Sequence, residues 1–266
     1  MLRENTARPA PPPAGRVKPL GILVYHAIGG RPSPITITRD RFRGQIAALQ
    51  RAGIRGVSLG EALGNRRRAV GRRVVALTFD DGYADFATEA WPVLREAGFS
   101  ATVFLVTGRL GKDNDWPGQP TWAPRRPLLS RGEVRRLAKE GVEFGSHTVS
   151  HPWLPTLTPD VAATELALSC QAIEAATGSA CRIFAYPYGA LNGAVRLQVS
   201  EYYSVAVTTE LRIAAPGDDR YLLPRIDATY LSPALLAGAI YSPAVGAYLA
   251  LRRAGRGVRK AILRDR

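Results

Sequence analysis

Cysteine is nearly absent from this chain: Cys170 and Cys181 are the only two among 266 residues. Two thiols are too few for a disulfide framework and wrongly spaced for a zinc clip, so both are expected to be free. Histidine is almost as scarce, with three in all. Acidic residues are in deficit, 22 against 36 Lys and Arg, which leaves a net charge of +14. No zinc-finger spacing, aromatic-basic RNA signature or helix-turn-helix pattern accompanies that charge, so nucleic acid is not an expected partner. The chain does not open on a continuous apolar run. Residues 1–16 hold Arg3, Glu4, Arg8 and the stretch Pro9-Ala10-Pro11-Pro12-Pro13, a flexible polyproline-like arm rather than a secretory signal. A cytoplasmic location is the expectation that follows.

A length of 266 residues with 46% apolar content suits one α/β domain with short tails, here 17–232, and no internal repeat interrupts it. The excess positive charge gathers at Arg66, Arg67, Arg68, Arg72 and Arg73, and again at Arg252, Arg253, Arg256, Arg259, Lys260, Arg264 and Arg266. Such clusters attract phosphates, acidic glycans or anionic lipid, or are simply a solvated surface. Residues 234–251 are apolar but broken by Ser242 and Pro243, a marginal spanning segment that fits a packed helix pair better. The tail 233–266 is therefore read as apolar and basic helix, able to rest on an anionic cytoplasmic leaflet.

Between the tails, short apolar runs alternate with helical patterns. Residues 20–25 and 74–79 are nearly continuous in hydrophobicity, as strands buried on both faces are. Between them 39–52 places Phe42, Ile46 and Leu49 at helical spacing, with Gly53 as a stop. The alternation continues through helices at 84–96, 130–139 and 160–177 and strands at 101–106, 142–145, 183–186 and 204–207, with 222–226 as one more candidate. About seven β units in this order indicate a parallel barrel or an incomplete variant of it.

That reading gives the polar residues one address. His26, the pair Asp80-Asp81, His147 and the turn Tyr186-Pro187-Tyr188-Gly189 all fall at or just past C-terminal strand ends, where parallel barrels carry their active sites. His147 and His151 lie four residues apart. Two imidazoles and a carboxylate can hold a divalent metal with positions open to water, and a second carboxylate and a third imidazole remain for proton transfer. The chemistry indicated is that of a metal-dependent hydrolase.

Thr78-Phe79-Asp80-Asp81-Gly82, His147-Thr148-Val149-Ser150-His151 and Phe184-Ala185-Tyr186-Pro187-Tyr188-Gly189 together resemble the first three motifs of the polysaccharide deacetylases with a NodB-type domain, carbohydrate esterase family 4. The resemblance runs from about residue 17 to about residue 232. Val24-Tyr25-His26 is similar to the branch in which the strand bearing the catalytic histidine is permuted to the N-terminal end. The resemblance implies a distorted (β/α) barrel of seven or so parallel strands. It implies a hydrolase of linear amides that removes acetyl groups from an N-acetylated sugar, with Zn2+ as the usual ion and Co2+ or Ni2+ able to substitute.

Carried onto this chain, the resemblance makes Asp81, His147 and His151 the metal ligands, Asp80 the general base, His26 the proton donor to the leaving amine, and a backbone N–H in the Tyr188 turn an oxyanion donor. Adjacent residues on an extended strand end point to opposite sides, so Asp80 and Asp81 are expected to divide the roles of base and ligand, although order alone does not say which is which. Two departures stand out. The arginine that precedes Pro-Pro-Tyr in the third motif is replaced by Ala185, and no Asp-x-x-Asp-Trp fourth motif appears. Arg225, at the end of the strand expected over 222–226, is the candidate substitute, with Arg182 behind it; the alternative is that Arg225 pairs with Asp227 or Asp218.

Tyr186, Pro187, Tyr188 and Trp153 are read as the substrate-contacting surface. Trp91, Trp116 and Trp122 are read mostly as packing, with the Pro/Gly-rich loop 108–127 as a functional loop. The expected substrate is a glycan or a lipid-linked or nucleotide-linked glycan precursor. The other readings are an amide hydrolase acting on a small amino-sugar metabolite and a non-catalytic carbohydrate-binding protein.

Overall fold

A computed structural model describes residues 18–68, 73–120, 122–238 and 240–264. The proline-rich arm and Arg72 lie outside the described residues. Among the described residues there are ten strands: β1 (Gly21–Tyr25), β2 (Ala27–Ile28), β3 (Thr36–Ile37), β4 (Arg55–Val57), β5 (Val74–Phe79), β6 (Thr102–Leu105), β7 (Glu143–Ser146), β8 (Ile183–Ala185), β9 (Val205–Val207) and β10 (Ile226–Asp227). The helices are α1 (Arg39–Arg51), α2 (Leu59–Arg68), α3 (Trp91–Glu96), α4 (Arg131–Lys139), α5 (Pro159–Thr177), α6 (Gly193–Tyr202), α7 (Pro233–Gly238) and α8 (Pro243–Arg264).

Seven strands run parallel in the order β10-β1-β5-β6-β7-β8-β9. β1 and all but the first residue of β5 are buried, which is why their sequences run apolar rather than alternating. β4 adds an eighth strand beside the first half of β5, on the edge that β6 takes over at Thr78. It was not legible as a strand: its central residue is Gly56, where a Cβ would come within 2.5 Å of Leu77 and 2.6 Å of Phe99. The sheet curls so that one segment meets both of its ends. Leu223 bridges Val207 of β9 in parallel, and three residues later Ile226 pairs with Leu23 of β1. The result is the distorted barrel expected from the sequence.

Register aligns the strand ends at one mouth. Tyr25 pairs with Phe79 and Leu105 with Ser146, so His26, Asp80 and His147 each follow directly on a strand end. The Asp80 N–H donates to Tyr25 O at 2.9 Å, and the His147 N–H to Leu105 O at 2.9 Å. Beneath the mouth, Tyr25, Phe42, Phe79 and Phe86 form a chain of stacked and edge-on rings with centroids 4.8 to 6.1 Å apart.

Helix ends follow local chemistry. Thr38 caps α1 by accepting from the Arg41 N–H, and Ser130 and Glu133 form a reciprocal capping box on α4. The helix expected over 84–96 is present, opening as a π-helical turn at Phe86–Ala90 and continuing as α3; Pro92, which has no N–H to donate, interrupts the regular ladder there. The strand expected over 222–226 is confined to Ile226–Asp227, with Leu223 as a single bridge. The α7 and α8 segment shares the main core through Leu236, Ile240, Val245 and Leu249, and the Tyr241 hydroxyl donates to Val74 O. Among the described residues, no helix is long and apolar enough to cross a membrane.

Gly145 shows how tightly the sheet interior is filled: a Cβ there would lie 2.6 Å from the Phe104 ring and 2.8 Å from Ile183. Gly145→Ala is expected to lower unfolding free energy by about 1–3 kcal/mol through overpacking, read as a lower urea midpoint at unchanged slope.

Candidate active site

Asp81, His147 and His151 converge at the mouth, all buried. Asp81 Oδ1 lies 3.5 Å from the Nε2 of each histidine, and the two Nε2 atoms are 3.2 Å apart. Those separations are the edges expected for donors about 2.0–2.2 Å from one common ion. His147 Nδ1 lies 2.7 Å from Ala185 O, and since a carbonyl only accepts, Nδ1 carries a proton and Nε2 is the ring nitrogen that faces Asp81 and His151. Burial, and after it the neighbouring His147, pushes His151 well below its ordinary value, which favours its neutral form. Burial likewise pushes the Asp81 carboxyl up. Two buried imidazoles and a buried carboxylate form a donor set that a divalent cation fits, because its charge offsets what burial penalises.

Local backbone geometry is what brings these atoms together. Asp81, Thr148, His151 and Tyr188 have φ of 69°, 68°, 59° and 59°, the non-glycine residues at positive φ among those described, and all four belong to this site. The expectation that Asp80 and Asp81 face apart as neighbours on an extended strand is therefore corrected. β5 ends at Phe79, and a left-handed residue, not the pleat, aims the Asp81 side chain. The loop from His147 to His151 is fastened from behind by α5. Glu165 accepts from the Val149 and Ser150 N–H groups at 2.7 and 3.0 Å and from the Ser150 hydroxyl at 2.6 Å, while the Ser169 hydroxyl donates to Thr148 O.

Glu165 and Ser169 escaped the sequence reading. Their trace was a buried Ser169 within the apolar face formed by Ala162, Leu166 and Ile173.

Asp80 meets Arg225. The guanidinium Nη1 and Nη2 donate to Asp80 Oδ1 and Oδ2 at 2.6 and 2.7 Å, Nε donates to Thr208 O at 2.9 Å, and Nη1 also reaches the Thr78 hydroxyl at 3.3 Å. Both side chains are essentially buried. Burial by itself would raise the Asp80 carboxyl; the Arg225 charge and hydrogen bonds, with His147 and His26 nearby, outweigh it and hold Asp80 well below the usual carboxylate range. Arg225 does not pair with Asp218, which Arg212 takes, or with Asp227, which accepts from the Thr229 N–H. It precedes β10 rather than ending a strand. Arg182, the weaker candidate, is exposed.

His26, partly exposed, places Nε2 4.0 Å from Asp80 Oδ2. Tyr188 sets its ring edge-on to His151 at 4.4 Å, and Trp153, half exposed, stacks on Tyr188 at 5.2 Å. Trp116 is buried, with its ring 4.5 Å from His151, so the loop expected to be functional folds over a candidate metal ligand. Tyr186 and Pro187 do not offer a substrate surface. Tyr186 is fully buried, with its ring against Phe184 and its hydroxyl donating to Tyr221 O, and Pro187 is buried beside it.

Replacing Arg225 leaves a carboxylate buried without its counter-charge. Arg225→Met is expected to cost about 3–5 kcal/mol of stability in chemical denaturation. Arg225→Lys should recover only part of that, since an ammonium cannot span both carboxylate oxygens.

Comparison with known proteins agrees with this geometry. A family profile described as polysaccharide deacetylase matches residues 67–206. YxkH of Bacillus subtilis strain 168, whose name assigns it provisionally to the polysaccharide deacetylases, is 28% identical over 211 residues, 78% of this chain and 70% of its own length. The poly-beta-1,6-N-acetyl-D-glucosamine N-deacetylase of Staphylococcus epidermidis is 24% identical over 202 residues, covering 72% of this chain and 67% of that protein. Among solved structures, the Streptococcus pyogenes deacetylase PplD in complex with acetate superposes with a TM-score of 0.69 at 26% identity, over 82% of this chain and 94% of that one. With more than half of its length matched by the family profile, the chain belongs to the polysaccharide deacetylase family.

Proposed function

We propose that the protein is a metal-dependent N-deacetylase that hydrolyses the acetamide of an N-acetylated sugar in a glycan or glycan precursor. The observation that carries the reading is the shared mouth: a three-donor cluster beside a carboxylate kept ionised by a buried guanidinium, with an imidazole 4.0 Å from that carboxylate. The acetate bound by the related PplD supports acetate as the leaving product.

Asp81, His147 and His151 would hold the ion. A divalent cation there supplies Lewis acidity, polarising an amide carbonyl and making water a better acid; Zn2+ suits a donor set of two imidazoles and one carboxylate, and Co2+ or Ni2+ can substitute. Asp80, ionised by Arg225, accepts the proton of the attacking water. As the carbonyl carbon becomes tetrahedral, the N–H of Tyr188, in its left-handed turn, can donate to the developing oxyanion. Breakdown expels an amine, which leaves only when protonated, and His26 delivers that proton. Trp153, stacked on Tyr188 and open to solvent, offers a flat apolar face for a sugar ring.

Acetate release from N-acetylglucosamine oligomers, measured with added zinc or cobalt and again after chelation, tests the reading. Metal-dependent release is expected, and Asp80→Asn should lower kcat by about 10²–10⁴-fold. No release from any N-acetylhexosamine substrate, with Asp80→Asn no different from the parent, overturns it.

The tail suggests where the enzyme works. In α8, Leu251 is 75% exposed and Arg252 and Arg253 are exposed, with Arg256, Arg259, Lys260 and Arg264 following in sequence. We place the protein in the cytoplasm, peripheral on an anionic membrane surface, where each basic residue near the headgroups contributes about 1 kcal/mol. Cosedimentation with phosphatidylcholine vesicles is expected only when phosphatidylglycerol is included, and is expected to fade as salt rises. Absence of binding to the anionic vesicles removes the assignment.

A further inference from the structure

His26 stands at a joint. Behind it lies the rigid strand β1; ahead lies the two-stranded ribbon of β2 and β3, which is separate from the main sheet. A proton donor in that position is only as well aimed as the ribbon is fixed. Two side chains outside the site described above do the fixing. Asp85 accepts from the Ile28 N–H through Oδ1 at 3.0 Å, and its Oδ2 receives Arg126 Nη1 at 3.0 Å. Arg126 Nη2 donates to Gly29 O at 2.5 Å. The ribbon backbone two and three residues past His26 is thus gripped through a donor by Asp85 and through an acceptor by Arg126.

The grip is built rather than incidental. Asp85 and Arg126 are 15% and 20% exposed, so their pairing is shielded in a way that surface pairs are not. Burial lifts the Asp85 carboxyl to about 6, against the Ile28 N–H and the Arg126 charge, so it is still an anion at neutral pH. Gly30, in the left-handed region at φ +81°, leaves room for the guanidinium: a Cβ there would lie 2.6 Å from Arg126 Nη2. Arg126 is itself anchored. Its N–H donates to Asn114 Oδ1 at 2.7 Å, and Asn114 Nδ2 donates to the buried Tyr83 hydroxyl at 3.0 Å. The same loop carries Trp116 against His151. One guanidinium therefore ties the ribbon after His26, the segment after Asp81 and the loop over His151 into a single frame.

We propose that Arg126, with Asp85, is a positioning residue for proton delivery by His26 to the departing amine. The proposal rests on the reading of His26 as the donor. Amine departure needs that proton, whereas departure of 4-nitrophenolate does not, so the two leaving groups separate a donor-positioning role from general damage to the site. Deacetylation of an N-acetylglucosamine oligomer and hydrolysis of 4-nitrophenyl acetate are measured for the parent, Arg126→Met, Asp85→Asn and His26→Ala, with metal content alongside.

Arg126→Met is expected to lose about 10- to 100-fold in kcat on the amide at nearly unchanged KM, while ester hydrolysis and metal content stay near the parent values. Asp85→Asn, isosteric and still able to accept from Ile28, should show the same split more weakly, and it carries the test if Arg126→Met does not fold. Amide and ester activities falling together, or neither falling, overturns the proposal. If His26→Ala shows the split and the clamp variants do not, the clamp alone is wrong; if His26→Ala hydrolyses the amide as the parent does, the donor assignment fails and the clamp's role with it.

Discussion

The fork between Arg225 and Asp80 is the contact on which the rest of the molecule turns. Arg225 lies in the segment that meets β9 at Leu223 and β1 at Ile226, and its guanidinium crosses the barrel to the end of β5. A buried charge pair of this kind contributes little net stability compared with an apolar pair, but losing either partner is costly. The pairings that close the sheet therefore flank the guanidinium that holds Asp80 ionised. The guanidinium that meets Asp80 comes from the segment just before β10, at the seam of the barrel, and not from beside Tyr186.

Around that contact the rim is held in backbone conformations that side chains resist. Asp81, Thr148, His151 and Tyr188 all sit at positive φ, each at a cost of order 1 kcal/mol or more. Packed elements behind the rim make this tenable: Glu165 and Ser169 on α5 satisfy the turn between the two histidines, and Ala185 O fixes the His147 ring. The strain has a purpose, since it turns two donors inward that regular strand geometry would leave apart.

Much of the scaffold could be read from the residues. The buried runs at β1 and β5, the helix patterns of α1, α4 and α5, and the placement of His26, Asp80, Asp81 and His147 past strand ends all follow from hydrophobic periodicity and parallel-barrel logic. β4, α2 and α6 were missed: β4 is three residues with a central glycine, and α2 and α6 are short and weakly amphipathic. Tyr186, expected at the substrate surface, is instead buried, with its hydroxyl donating to Tyr221 O. Here it completes the core against Phe184, on which Tyr203 also stacks.

By itself, the sequence determined which groups could do chemistry: three imidazoles, a carboxylate pair and a strand order that collects them at one end, because scarcity and spacing are properties of the chain. Tertiary structure alone decided how they are aimed. Nothing local to residue 225 says that its guanidinium will reach residue 80, nor that Trp116 will cover His151, since those contacts join segments 145 and 35 positions apart and depend on how the sheet curls. Left-handed turns escaped for the same reason: a residue other than glycine adopts them only when the surrounding packing holds it there.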